Sequence, residues 1–283
     1  MAAPITHDQW KTVRTSIRRT GDRFTGMVSS SSDPHAEVTS GWSVVETAAH
    51  VTAIAWLYTS LVRPEDTPIP IPALEAGLED ITVDTIDAFN DLTLRHFGER
   101  DPQALTEQLR AHIDHLLRAT EGLDPAQPVV WLGGSRVPVA GVVAHLLNEL
   151  LIHGRDLARA TRRPWEISPR DAALFFELFM VGVVHNDSGR LLETGKPVPG
   201  RRIAVEFRSA HTTPVTLVLD RGRVTIGEPG GEADVRLSFD PVTFILMMFG
   251  RVSRPRAVLS GKVAIRGPRP WLLPAFLRVV HMP

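Results

Sequence analysis

An all-helical N-terminal region followed by a smaller α+β region is the fold class predicted by this sequence of 283 residues. Three observations carry the prediction. Apolar residues recur at helical spacing from Trp10 to about residue 160. Beyond about residue 200 the pattern changes to short runs of branched residues between Gly and Pro turns, as in strands. The chain is also long enough for two domains, each with its own core. The expected division is a helical bundle over residues 1–165, then a bridging helix and an α+β domain over 166–283.

The first helix is expected to start behind Thr6, with Gln9 completing a capping box and Trp10, Val13, Ile17, Phe24 and Met27 forming one apolar stripe. Four serines at 29–32 and Pro34 break it. Ser43 and Glu46 repeat the capping box ahead of Ala49, His50, Ala53, Ile54 and Leu57, and a proline-rich loop over 63–72 follows. Val83, Ile86, Phe89 and Phe97 indicate a shorter helix stopped by Gly98. Asp101-Pro102 starts another, bearing Leu105, Leu109, Ile113 and Leu116. "VVAHLLNELLIHGRDLA", residues 142–158, is the last main helix, which makes a bundle of about four. Ser168 and Pro169 open the bridging helix. "RIAVEF", "TPVTLVLD", "GRVTIG" and "ADVRLSF" then read as strands, and "PVTFILMMFG" and "RPWLLPAFLRVV" as helices.

Composition narrows the function. Net charge is −1 and lysine occurs only at Lys11, Lys196 and Lys262, so no broad cationic face is available for nucleic acid. Cysteine is absent, which removes disulfides, thiolate metal clusters and a cysteine nucleophile; any thiol must come from outside. No apolar run is long enough to span a bilayer and the first residues do not read as an export signal, so a cytoplasmic protein is expected. Neither a phosphate loop, HExxH nor GxSxG occurs.

The helix at 142–158 places His145, Glu149, His153 and Asp156 among leucines, where each needs a partner. Glu149 and His153 lie four apart on one face, with Asp156 three further on. His50 is the ionisable group of another apolar helix, and a bundle joining the two faces would create a His, Glu, His set with open positions, as in catalytic zinc sites. A hydrogen-bonded core histidine and a buried ion pair remain alternatives on spacing alone. His145, about 12 Å from His153 along a helix axis, is read as supporting or core rather than a ligand. Asp156 is read as orienting a ligand imidazole, or as pairing with Arg155 or Arg159.

"GWSVVETAAHVTAIAWL" together with "LLNELLIHGRDLARAT" resembles the mycothiol-dependent maleylpyruvate isomerase family, a branch of the DinB-like four-helix metalloproteins, over residues 8 to about 162. "ADVRLSFDPVTFILMMFGRVSRPRAVLSGKVAIRG" resembles the sterol-carrier-protein-like domain often attached to these bundles. The resemblance implies that His50, Glu149 and His153 bind a divalent metal, with zinc expected, and that the external thiol is mycothiol. It implies an enzyme, an isomerase or S-transferase whose zinc-held thiolate attacks a small-molecule electrophile. Maleylpyruvate, a dicarboxylate, would call for arginines: Arg95 and Arg266 are the catalytic candidates, with Arg251 and Arg269 also considered. The rival reading is a noncatalytic lipid carrier, its ligand held by the C-terminal domain with Met247 and Met248 lining a tunnel.

Overall fold

A computed structural model describes residues 3–280 except 40, 68, 70–76, 194–196, 198 and 229. Helix α1 (His7–Ser29) begins with the Thr6/Gln9 capping box, and α2 (Val44–Val62) with the Ser43/Glu46 box. Both starts follow from side chains satisfying amides that have no partner inside the helix. A short helix, α3 (Ile86–His96), is followed by α4 (Pro102–Ala119), capped by Asp101. The longest buried helix, α5 (Val139–Ala160), completes the bundle. Helix α2 packs on α4 and α5, and α1 packs on α4 and α5. Phe24, Leu105, Leu116, Leu146 and Leu147 are fully enclosed between them.

Two small hairpins decorate the bundle: β1 (Glu37–Thr39) with β2 (Trp42–Ser43), and β3 (Pro128–Val130) with β4 (Arg136–Pro138). Neither was expected, because two or three residues are too few to establish an alternating pattern. The proline-rich loop expected over 63–72 lies outside the described residues at 68 and 70–72.

The bridging segment starts at Ser168 and runs as α6 (Pro169–Leu174), a π-helical stretch (Phe175–Met180) and α7 (Val181–Asn186). The wider turn fans its side chains in several directions. Phe175 and Phe179 enter the bundle core, Phe176 enters the second core, and Glu177 accepts from Gln9 Nε2 at 2.9 Å and Thr213 N at 2.7 Å. π-turns tend to occur where a helix serves a site.

The C-terminal sheet is five-stranded, β5 (Ile203–Ser209), β6 (Thr212–Asp220), β7 (Arg223–Ile226), β8 (Val235–Phe239) and β9 (Val263–Arg266), in the spatial order β7-β6-β5-β8-β9. All neighbours are antiparallel except β5 and β8. Val235, Leu237 and Phe239 face inward while Arg236 and Ser238 face out, the period of two of a half-buried strand. Helices α8 (Pro241–Met248) and α9 (Arg254–Leu259) connect β8 to β9. The expected last helix is shorter, a 3₁₀ turn at Pro270–Leu272 and α10 (Leu273–Phe276). Pro270 and Pro274 suit first turns and not helix interiors, so they cut the run short.

Candidate metal centre

Helix α2 is apolar nearly all round, and His50 lies buried at its middle against Trp42, with ring centroids 4.6 Å apart. Helix α5 brings Glu149 and His153 up the facing side. Glu149 Oε2 lies 3.3 Å from His153 Nε2 and 3.5 Å from His50 Nε2, and one ligand atom from each of the three residues lies within 4.8 Å of the others. An ion with bonds of about 2.0–2.1 Å at tetrahedral angles separates its ligand atoms by about 3.3–3.4 Å, so this donor set fits a zinc-like ion. The second ring nitrogens, Nδ1 of His50 and of His153, are buried without a protein hydrogen-bond partner.

Burial lowers the pKa of His50, opposed by the neighbouring Glu149, and so favours the neutral ring that a metal requires. Burial pushes the Glu149 carboxyl up, but His153, His50 and His145 together outweigh it and hold the group well below its usual range. A carboxylate at Glu149 and a neutral ring at His50 are the protonation states that a metal ligand needs.

His145 occupies the other side of the carboxylate. Its Nδ1 is 3.7 Å from Glu149 Oε1 and 2.8 Å from the Tyr58 hydroxyl, and its ring sits on Phe179 at 4.4 Å and Trp131 at 5.1 Å. Burial brings its pKa down to about 4, and burial, reinforced by the Glu149 charge, raises that of Tyr58 well above its ordinary value. The pair forms a neutral, hydrogen-bonded wall behind Glu149. The Tyr58 contact spans 87 residues, and no pattern in the sequence announced it.

Asp156 Oδ2 is 3.8 Å from His153 Nδ1, beyond hydrogen-bond reach. Its carboxylate is instead held by Arg251, whose Nε lies 3.1 Å and Nη2 2.6 Å from Oδ2, while Nη1 donates to the Phe249 carbonyl at 2.6 Å. Of the partners expected for Asp156, Arg155 approaches only to 4.0 Å. Arg251 follows α8, so a residue of the C-terminal region braces the helix that carries two of the clustered groups.

The cluster opens into a cavity of about 870 Å³, bounded by β1, α2, α3, α5, the π-helical stretch, β6 and the α8–Arg251 turn. Of the four arginines considered, Arg251 alone lines it among the described residues. Arg95 lies in a separate shallow depression with Gly41, Glu46 and Asp91. Arg266 is exposed on β9 opposite Arg236, and Arg269 is bound to Asp234 at 2.7 Å. Met248 lines the cavity, whereas Met247 packs on the C-terminal core.

A helical bundle with a His, Glu, His cluster opening into a cavity, joined to an α+β domain, defines a class of two-part candidate metalloproteins. The mycothiol maleylpyruvate isomerase N-terminal domain family matches residues 16–158, and the SCP-2 sterol transfer family matches residues 185–270. The chain belongs to the mycothiol maleylpyruvate isomerase family. Its fold is shared with a histidine-to-alanine variant of the mycothiol-dependent maleylpyruvate isomerase, at 15% identity and a TM-score of 0.50, over 90% of this chain and 92% of that one. The crystal structure of the mycothiol-dependent maleylpyruvate isomerase without that substitution matches over the same shares at 14% identity and a TM-score of 0.49. A comparison with curated proteins finds no significant match. No helix among the described residues is long and apolar enough to cross a membrane.

Proposed function

We propose that this chain is a zinc-dependent enzyme that uses mycothiol as its thiol, adding the thiolate to a small electrophile in an isomerisation or an S-transfer. The observation that carries the reading is the convergence of His50, Glu149 and His153 beside a cavity in a chain without cysteine, within a family named for mycothiol-dependent isomerisation.

His50, Glu149 and His153 would hold the ion and leave positions free for the thiol. Zinc there would deprotonate a coordinated thiol at neutral pH. Trp42 packs against His50 on one side of the cluster, and Tyr58, His145, Trp131 and Phe179 pack together behind Glu149 on the other. The thiol proton leaves to solvent, a carbon–sulfur bond forms at a conjugated carbon, and the π pair moves onto the neighbouring carbonyl. Rotation and reversal release the thiol and the isomer; protonation of the carbon retains the adduct.

A carrier confined to the C-terminal domain is less well supported, because the large cavity is built by both regions and contains the cluster. The test combines metal analysis of the purified protein with mycothiol consumption against a panel of electrophiles. About one zinc per chain and turnover that stops on chelation or without thiol are expected. Turnover independent of both would refute the proposal.

A further inference from the structure

We infer that the electrophile accepted by this cavity is uncharged and apolar, with an aryl or alkyl body, and is not a dicarboxylate. The inference names the substrate class of the thiol chemistry proposed above and rests on that reading.

Charge comes first. Among the described residues lining the cavity, the carboxylates are Glu37, Asp87, Glu149 and Asp156 and the fixed cations are Arg159 and Arg251. Arg251 is committed to Asp156 by two nitrogens and to the Phe249 carbonyl by the third. Arg159 on the last turn of α5 is exposed, as are Glu37 and Asp87, so water screens all three and the buried charges are Glu149 and Asp156. A divalent ion held by Glu149 and two neutral histidines would retain a single positive charge, which the thiolate matches. A dicarboxylate needs two cationic partners, and buried without them it is strongly disfavoured.

The remaining wall states what is welcome. Met180 and Val184 of the bridging segment, Leu217 of β6, Met248, Phe249 and Val280 add apolar side chains from the C-terminal region to the lining of the cavity. Met180, Val184, Met248 and Phe249 are only partly buried, so their free faces are available to a ligand. Methionine supplies a polarizable surface that adapts to aryl and alkyl groups alike. Apolar walls with a few convergent polar groups are the ordinary design of a small-molecule pocket.

The experiment uses the full, zinc-loaded chain and inert probes, read by quenching of tryptophan fluorescence, since Trp42 and Trp131 line the cavity. Benzylacetone stands for a neutral aryl enone and succinate for a dicarboxylate. Benzylacetone is expected to bind at least about 100-fold more tightly, from burial of its phenyl body. Met248→Glu and Val184→Glu, each at a partly exposed position and checked for folding by circular dichroism, should each weaken it about tenfold or more. Succinate binding as tightly as benzylacetone, or both variants leaving benzylacetone unaffected, would overturn the inference. Mycothiol consumption with maleate and benzylideneacetone separates the two claims. Faster consumption with maleate overturns the apolar class and leaves the thiol reading standing; benzylacetone binding with no consumption of either electrophile does the reverse.

Discussion

Replacing His50 by alanine should cut zinc affinity by two to three orders of magnitude while the bundle stays folded. Structural sites with four ligands bind zinc with about 10–16 kcal/mol, or roughly 2.5–4 kcal/mol for each ligand. His50→Ala removes one of the three clustered groups, and about 2.5–4 kcal/mol corresponds to roughly 10²- to 10³-fold in dissociation constant. The cost to the fold is smaller than for an apolar residue of this size. His50 is only 2% exposed with Nδ1 unpartnered, so its removal also relieves a buried polar group. His50→Gln, closer in volume, guards against a packing artefact and should also bind zinc poorly. His145→Ala is the control: it faces Glu149 Oε1 and the Tyr58 hydroxyl, whereas both clustered histidines face Oε2. Its zinc affinity should change by less than about tenfold. Competition with a chromogenic chelator gives the affinities and circular dichroism gives the helicity. Wild-type affinity in His50→Ala, or a larger loss in His145→Ala, would show that the ligands have been misassigned.

Three further outcomes are expected. Arg251→Ala leaves Asp156 buried without its cation; the guanidinium side chain is one-quarter exposed, so the loss should lie near the low end of the range for broken buried pairs, about 3 kcal/mol, measured by urea unfolding. An unchanged midpoint would mean that the pair does not brace α5. Gly154→Ala puts a methyl 2.2 to 2.6 Å from ring atoms of Trp165, which donates to the Leu151 carbonyl at 3.1 Å; overpacking should destabilise the chain by about 1–3 kcal/mol and alter tryptophan fluorescence. In chelator-treated protein, His145 should make stability fall with acidification. Its pKa is about 4 when folded and 6.5 ordinarily, so the unfolded state takes up the proton first, and stability present above about pH 6.5 is lost as pH falls toward 4, on the order of 3 kcal/mol. His145→Gln should remove that component, and identical slopes from pH 7 to 4.5 in both proteins would contradict the assignment.

What was legible in the sequence is what short-range chemistry determines. Thr6 with Gln9, Ser43 with Glu46, Asp101 with Pro102 and Ser168 with Pro169 each mark a helix start within four residues, and each start lies where they put it. Glu149 and His153 share a face for the same reason. That His50 joins them is a long-range fact: an ionisable group on another apolar helix left it open beside a core histidine, and only the resemblance implied it. Contacts across the fold carried no signal of their own: Tyr58 to His145 spans 87 residues and Arg251 to Asp156 spans 95. The arginines illustrate the difficulty. Their number was plain, but an arginine reads the same whether it borders a cavity, as Arg251 does, or lies on the outer sheet, as Arg266 does.

The π-helical stretch shows why the character of the cavity was out of reach. "FFELFM" reads as one more apolar helix interrupted by an acid. Its wider turn aims Phe175 and Phe179 at the bundle, Phe176 at the sheet, Met180 into the cavity and Glu177 at Gln9 and the Thr213 amide. One segment thereby belongs to both cores and forms part of the cavity wall. The cluster is specified by one motif in α2 and one in α5, but part of the cavity lining comes from this segment, β6 and the turn after α8. The groups that would activate a thiol and the groups that would select its partner therefore lie on different parts of the chain. If the proposed thiol chemistry holds, substitutions at Met180, Val184 or Met248 should change the accepted electrophile without touching His50, Glu149 or His153.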